Sequence, residues 1–160
     1  WFKVHHPLAF YAAYFYRRSQ KDGFDAVMMT HGIETVKEHI KRINADPDHS
    51  DKEEDLLTTL EVCYEFYLRG YHFDPINIYE SDATHFVISE NGLIPPFVAV
   101  SGLGESAALA TVEQRAGKHF ISVEEFSLCC NKLSKTHIDT LRALGSFAGM
   151  PDTSQISLFG

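Results

Sequence analysis

The residues with the most specific chemistry lie in the run Ser101-Gly102-Leu103-Gly104-Glu105-Ser106. Two glycines one residue apart let a backbone turn sharply and let another backbone approach closely. The apolar Leu103 between them can plug the gap between two short helices. Gly104-Glu105-Ser106 then opens a helix, with the small residues Ala107 and Ala108 following. The first N–H groups of a helix have no partner inside it and stand at its positive end. Such a turn can hold a phosphate with backbone alone, without any side-chain charge. A tight turn that holds no ligand is the plainer reading of the same glycines. A dinucleotide fingerprint fails, because no strand precedes Gly102 and the acidic residue expected about 20 residues further on is lacking.

The turn resembles a helix–hairpin–helix, the motif that grips a DNA backbone without reading sequence. The following residues repeat the arrangement. Ser122 and Glu125 form an S-x-x-E helix start, and Asn131-Lys132-Leu133-Ser134-Lys135-Thr136 makes a second turn. Ser134 can cap a helix over Lys135–Leu144 that stops at Gly145. Helix, turn and helix thus occur twice, with a linking helix between. The second turn lacks glycines but offers Lys132, Ser134, Lys135 and Thr136 to a phosphate, with Lys118 able to assist. A third candidate is the tail, a polar leader from Pro151 followed by Gln155-Ile156-Ser157-Leu158-Phe159. Leu158 and Phe159 on a mobile terminus suit insertion into a partner's apolar pocket, with Gln155 fixing register. Packing back onto its own domain is the alternative.

Other reactive residue types point to no site. Cys63, Cys129 and Cys130 form no pairable framework, no C-x-x-C occurs, and the nine His are scattered. Cys63 falls in a helical apolar stripe and reads as a small core residue. Asp46, Asp48 and Asp51 lack the glycine and closing glutamate of a calcium loop. No secretory signal opens the chain, and with the unpaired cysteines this favours a cytoplasmic setting. The chain begins at Trp1 without Met, as a piece of a longer polypeptide would.

The elements that must position these residues follow from periodicity. Pro7 suits the first turn of a helix with Leu8, Tyr11, Ala12 and Phe15 on one face. A second helix is expected over Ile33–Asn44, ended by Asp46-Pro47. Ser50 and Glu53 make a capping box for a third, with Leu56, Leu57, Leu60, Cys63, Tyr64 and Tyr67 as its buried stripe and Gly70 as its stop. His85–Ile88 reads as a strand, Asn91-Gly92 as a hairpin turn, and Leu93-Ile94 as the return strand. No long-period internal repeat is visible. The expected fold is mainly α: helical residues 1–73, a connector with a β-hairpin at 74–93, a tandem hairpin domain at 94–150, and a flexible tail at 151–160.

With 160 residues and 44% hydrophobic content, the chain can bury a core. No apolar run is long enough to span a membrane. The net charge of −8 argues against gripping nucleic acid by bulk positive charge. That charge is uneven. Residues 1–92 hold 9 basic and 16 acidic residues, whereas residues 93–160 hold 5 and 6.

Taken in order, Trp1 to Phe15, Leu93 to Gly104, Lys132 to Lys135 and Gln155 to Phe159 resemble the carboxyl end of the PolC type of bacterial DNA polymerase III alpha subunit, a C-family replicative polymerase. The resemblance implies distal fingers, a tandem helix–hairpin–helix domain on double-stranded primer-template DNA, and a terminus that binds the sliding clamp, the beta subunit. It implies that Ser101, Gly102, Leu103, Gly104, Glu105 and Ser106 meet one strand, and that Lys132, Ser134, Lys135 and Thr136 meet the other. It places the Mg²⁺-holding carboxylates in a palm outside this chain, so no cofactor or catalytic residue is assigned here. Gly160 extends the family's usual Leu–Phe ending by one residue. Two rival readings stay open: a helix–hairpin–helix module of DNA repair, for which Asp139 is the only candidate acid, and a helical adaptor with a peptide tail.

Overall fold

The computed structural model describes residues 1–154 and is mainly helical, with one small sheet. The helices are α1 (Phe2–His5), α2 (Pro7–Ser19), α3 (Ala26–Met29), α4 (Ile33–Ala45), α5 (Asp51–Leu68), α6 (Glu105–Gln114), α7 (Val123–Cys129) and α8 (Lys135–Ala143). The strands are β1 (His72–Phe73), β2 (Val87–Ser89) and β3 (Gly92–Ile94). A 3₁₀ turn, Phe97–Ala99, leads into the first glycine turn.

The best-specified helix is α5. Ser50 Oγ accepts from the Glu53 N–H at 3.2 Å, and Glu53 Oε2 accepts from the Ser50 N–H at 2.9 Å. At its far end Gly70 takes φ +87°, which a side chain would oppose. That conformation lets the Gly70 N–H reach Tyr67 C=O at 2.9 Å and the Tyr71 N–H reach Phe66 C=O at 3.3 Å, closing a Schellman motif. The buried stripe is shifted from expectation at its end. Phe66 is fully buried, while Tyr64 and Tyr67 are only half-buried. A phenol needs a partner when it goes inside. Tyr67 satisfies this at the edge, donating to Met29 C=O at 2.6 Å.

Three short elements were not expected. One helical turn, α1, precedes Pro7. Asp25 caps α3, accepting from the Val27 and Met28 N–H groups at 2.9 and 3.4 Å. Strand β1 lies beside β3 in parallel, pairing His72 with Gly92 and Phe73 with Leu93. The hairpin β2–β3 is antiparallel, with Ser89 opposite Gly92. Gly92 therefore sits in the strand, and Asn91 carries the positive φ, +61°. The glycine is needed for another reason. A Cβ at 92 would stand 2.5 Å from the His72 carbonyl oxygen, so only glycine admits β1 at this spacing.

The sheet is where α2 and α5 meet. Phe73 from β1 packs against Phe66 with ring centres 4.6 Å apart, and Phe15, Phe24 and Phe86 close round the same point. The apolar core continues from Tyr11 through this cluster to Phe147. Cys63 lies inside it, and burial pushes its thiol well above the ordinary value, so it is a packing residue. Among the described residues no helix is long and apolar enough to cross a membrane.

Candidate nucleic-acid interface

The first glycine turn is held from behind by an irregular segment over residues 74–86. The Phe97 and Val98 N–H groups donate to the Asp82 and Ala83 carbonyls at 3.1 and 3.2 Å. Ser81, fully buried, donates to Pro95 C=O at 2.9 Å and accepts from the Asn77 N–H. Arg115 at the end of α6 donates to Ile78 C=O at 3.0 Å and lies over the Phe97 ring at 5.6 Å. Desolvation there lowers the Arg115 pKa from its ordinary value. Its charge is thus spent inside the molecule.

On this platform Val100–Leu103 forms the turn. The Leu103 N–H donates to Val100 C=O at 3.1 Å, Gly102 takes φ +80°, and the Leu103 side chain is buried. The expected plug is therefore in place, but the helix before it is only the 3₁₀ turn. Gly104 is the N-cap of α6 at φ −74°, ψ 163°, and no side chain caps the helix. The Glu105, Ser106 and Ala107 N–H groups find no backbone partner among the described residues. A Cβ on Gly102 or Gly104 would meet nothing within 4 Å. Gly102 needs its freedom for the positive φ. Gly104 has neither a strained angle nor a close neighbour among the described residues. What its missing side chain leaves clear is the outside of the turn.

The second turn repeats the first thirty residues later. The Leu133 N–H donates to Cys130 C=O at 3.2 Å, and Leu133 is buried as Leu103 is. Ser134 caps α8 at φ −76°, ψ 167°, within a few degrees of Gly104. Position by position, residues 131–140 bury and expose the same sites as 101–110. The sequence reading expected the doubled hairpin but not this residue-by-residue register of thirty. The helix before the second turn is α7, so no separate linking helix stands between the hairpins. Ser122 caps α7, accepting from the Glu125 N–H at 3.1 Å. The Glu125 carboxylate takes the Ile121 N–H rather than that of Ser122. The α8 terminus matches expectation within a residue: Gly145, at φ +86°, stops it.

The two turns also differ in how their amides are used. The α8 amides are partly used: Ser134 Oγ accepts from the His137 N–H at 3.2 Å, and His137 Nδ1 accepts from the Ser134 N–H at 3.1 Å. The hydroxyl hydrogen of Ser134 is left to donate outward. Ser101, Gly102, Gly104, Glu105 and Ser106 are exposed on the first turn, and Lys132, Ser134, Lys135 and Thr136 on the second. Leu103 alone among the candidates is buried and can act only through packing. Among the described residues four hydrogen bonds join the hairpins: His137 Nε2 to Gly102 C=O at 3.2 Å, Gln114 Nε2 to Asn131 Oδ1 at 3.4 Å, Cys129 Sγ to Gln114 C=O at 3.3 Å and Cys130 Sγ to Thr111 C=O at 3.9 Å. Sequence reading missed His137, whose capping role is hidden because histidine is not the usual N3 partner of serine.

Lys118 points away from this role, donating to Cys129 Sγ at 3.2 Å. Cys130 is buried against α6, and burial first, then the neighbouring Cys129, pushes its thiol up to about 12. Among the described residues no three His, Cys, Asp or Glu side chains converge to hold a metal ion. The tail candidates Gln155, Ile156, Ser157, Leu158 and Phe159 lie outside the described residues. The start of that segment is anchored: the Val123 and Glu124 N–H groups donate to the Pro151 and Asp152 carbonyls, each at 3.0 Å, and Arg142 pairs with Asp152 at 3.0 Å.

Comparison with known proteins agrees with this geometry. A family model described as helix-hairpin-helix motif matches residues 70–155. The chain is 42% identical over 99% of its length to a DNA polymerase III PolC-type of Listeria innocua, and 42% identical over its full length to one of Clostridium perfringens. It is 43% identical over 99% of its length to that of Bacillus subtilis. In each case the chain spans only 11% of the relative. With a doubled turn of this form and a motif match over more than half its length, the chain belongs to the helix–hairpin–helix family.

Proposed function

We propose that this chain is the carboxyl-terminal part of a PolC-type replicative DNA polymerase, acting in the cytoplasm, and that it grips the backbone of double-stranded primer-template DNA. The observation that carries this reading is the thirty-residue repeat, which sets two matched helix-opening turns at the surface. The amides of Gly104, Glu105 and Ser106, with Ser101 and Gly102 shaping the turn, hold a phosphate of one strand. Ser134, Lys135 and Thr136, with Lys132, hold the other. Contacts of this kind position DNA without reading its sequence. Residues 94–150 are the duplex-binding part, and residues 1–73 are a helical extension of the fingers that docks on the rest of the polymerase. The exposed Trp1 and Val4, 83% and 71% accessible, suit that contact. Nucleotidyl transfer and its Mg²⁺ belong to that remaining chain. Gln155–Phe159 tethers the enzyme to the sliding clamp.

Binding of labelled duplex over a range of salt concentrations tests this. Few charged side chains face the phosphates, so affinity is weak and falls shallowly with salt. The slope expected is about −2 to −4, at roughly −0.9 per neutralised phosphate. Gly104→Pro removes one amide at a φ of −74° that proline also adopts, so it weakens duplex binding without unfolding the chain. Duplex affinity unchanged by this substitution favours the helical adaptor instead. Deleting Gln155–Phe159 abolishes clamp binding, and unchanged clamp affinity refutes the tether.

A further inference from the structure

We infer that His137 is a positioning residue that locks the two phosphate-binding turns into one unit, an inference that rests on the function proposed above. The ring bridges two groups whose roles allow no choice. A backbone N–H can only donate, so His137 Nδ1 must accept from Ser134 N–H at 3.1 Å. A backbone carbonyl can only accept, so Nε2 must carry the hydrogen that reaches Gly102 C=O at 3.2 Å. Both bonds together require the neutral ring with its proton on Nε2. The ring is half-buried, between the cap of α8 and the one residue of the first turn held at a positive φ.

The geometry has a directional consequence. Gly102 C=O points back to His137, so its peptide plane is fixed, and with it the aim of the turn that leads to Gly104. The other bridges, Gln114 to Asn131, Cys129 to Gln114 and Cys130 to Thr111, lie toward the far end of α6 and leave the mouth of the first turn free. His137 is thus the link nearest both candidate phosphate sites. It makes its contacts with protein groups and positions amides that meet the ligand. Two phosphates on opposite strands lie at a fixed separation in a duplex. Turns held at matching separation bind without first being ordered, which is the general advantage of preorganisation.

Two measurements on the chain test this. In a nitrogen-15 spectrum of histidine side chains, His137 shows an acceptor-type nitrogen at δ1 and a protonated one at ε2. A ring with the opposite tautomer, or one exchanging between both, overturns the inference, whatever the DNA result. In duplex binding, His137→Ala lowers affinity about fivefold to tenfold, as expected for a lost hydrogen bond and its ordering. His137→Gln, which can accept from Ser134 N–H as a capping-box residue and donate to Gly102, stays within about threefold of wild type. Both variants keep the wild-type salt slope, because no phosphate contact is lost. An alanine variant that binds like wild type, a glutamine variant as weak as the alanine, or a slope shallower by about one phosphate overturns the positioning role. If wild type binds no duplex at all, the proposed function falls and the nitrogen spectrum still decides the link.

Discussion

Gly104→Ser separates the two demands on the first turn. Gly104 and Ser134 hold nearly the same dihedrals, φ −74°, ψ 163° against φ −76°, ψ 167°. A Cβ at 104 meets nothing within 4 Å. Serine there should therefore cap α6 as Ser134 caps α8, its Oγ accepting from the Ala107 N–H. The cap contributes a few tenths of a kcal/mol over glycine, and a stiffer unfolded chain adds about 0.4–1 kcal/mol. The sum is about 1 kcal/mol, which raises Tm by about 2–4 °C at this length. Binding should move the other way. The serine side chain fills the space that Gly104 leaves clear beside the Gly104, Glu105 and Ser106 amides, and hydrogen bonds to charged groups are worth about 1.5–3 kcal/mol. Duplex affinity should fall by about 10- to 100-fold. Thermal unfolding by circular dichroism and duplex titration by fluorescence anisotropy measure the two quantities on one sample. A variant that is stabilised but binds DNA as wild type does would refute the amide site at α6. A variant that is destabilised would refute the match between the two caps.

Two further outcomes test the scaffold. Gly92→Ala puts a Cβ 2.5 Å from the His72 carbonyl oxygen; the strands must part, at a cost of about 1–3 kcal/mol read from urea unfolding, and a loss below about 0.5 kcal/mol would mean that β1 is free to move. His49 hydrogen-bonds the Asp46 carbonyl and the Glu54 carboxylate, and both, the carbonyl first, raise its pKa. A raised value means that its stabilisation is present below the unfolded value of about 6.5 and is lost as pH climbs through the folded value. The Tm gap between wild type and His49→Ala should therefore narrow above that range, and a gap constant from acid to alkaline pH would exclude the linkage.

Local signals made much of the fold legible. The Ser50–Glu53 box, the Gly70 and Gly145 stops and the Asn91-Gly92 turn each act through a few neighbouring residues, and their effects appear where expected. What could not be read depends on partners distant in sequence. Strand β1 is two residues long and exists because β3 is beside it. The role of Gly92 is set by His72, twenty residues earlier. Burial of Phe66 rather than Tyr67 is decided by which side chain must keep a polar end near Met29. The exact register of the repeat was hidden for a related reason. Between 101–110 and 131–140 only the leucine at 103 and 133 is shared. The fold repeats a pattern of burial and of helix-cap angle, and many side chains satisfy that pattern.

The acidity of the chain bears on how such a site can work. Most of the excess negative charge lies before residue 93, and Arg115, one of the few cations beyond it, is turned inward. Glu105 even places a carboxylate on the first turn of α6, where it suits the helix dipole but competes with a phosphate for the same amides. A site built on bulk charge would be defeated by this arrangement. A site built on amides is only weakened, because hydrogen-bond direction, unlike net charge, is not averaged over the surface. Weak grip is also what a moving duplex requires: contacts at the backbone that carry no sequence preference let DNA advance with little change in energy from one base pair to the next. On the proposed function, the two capping strategies divide the work, with bare Gly104 leaving amides open for one strand while Ser134 and His137 hold the second turn and aim the first.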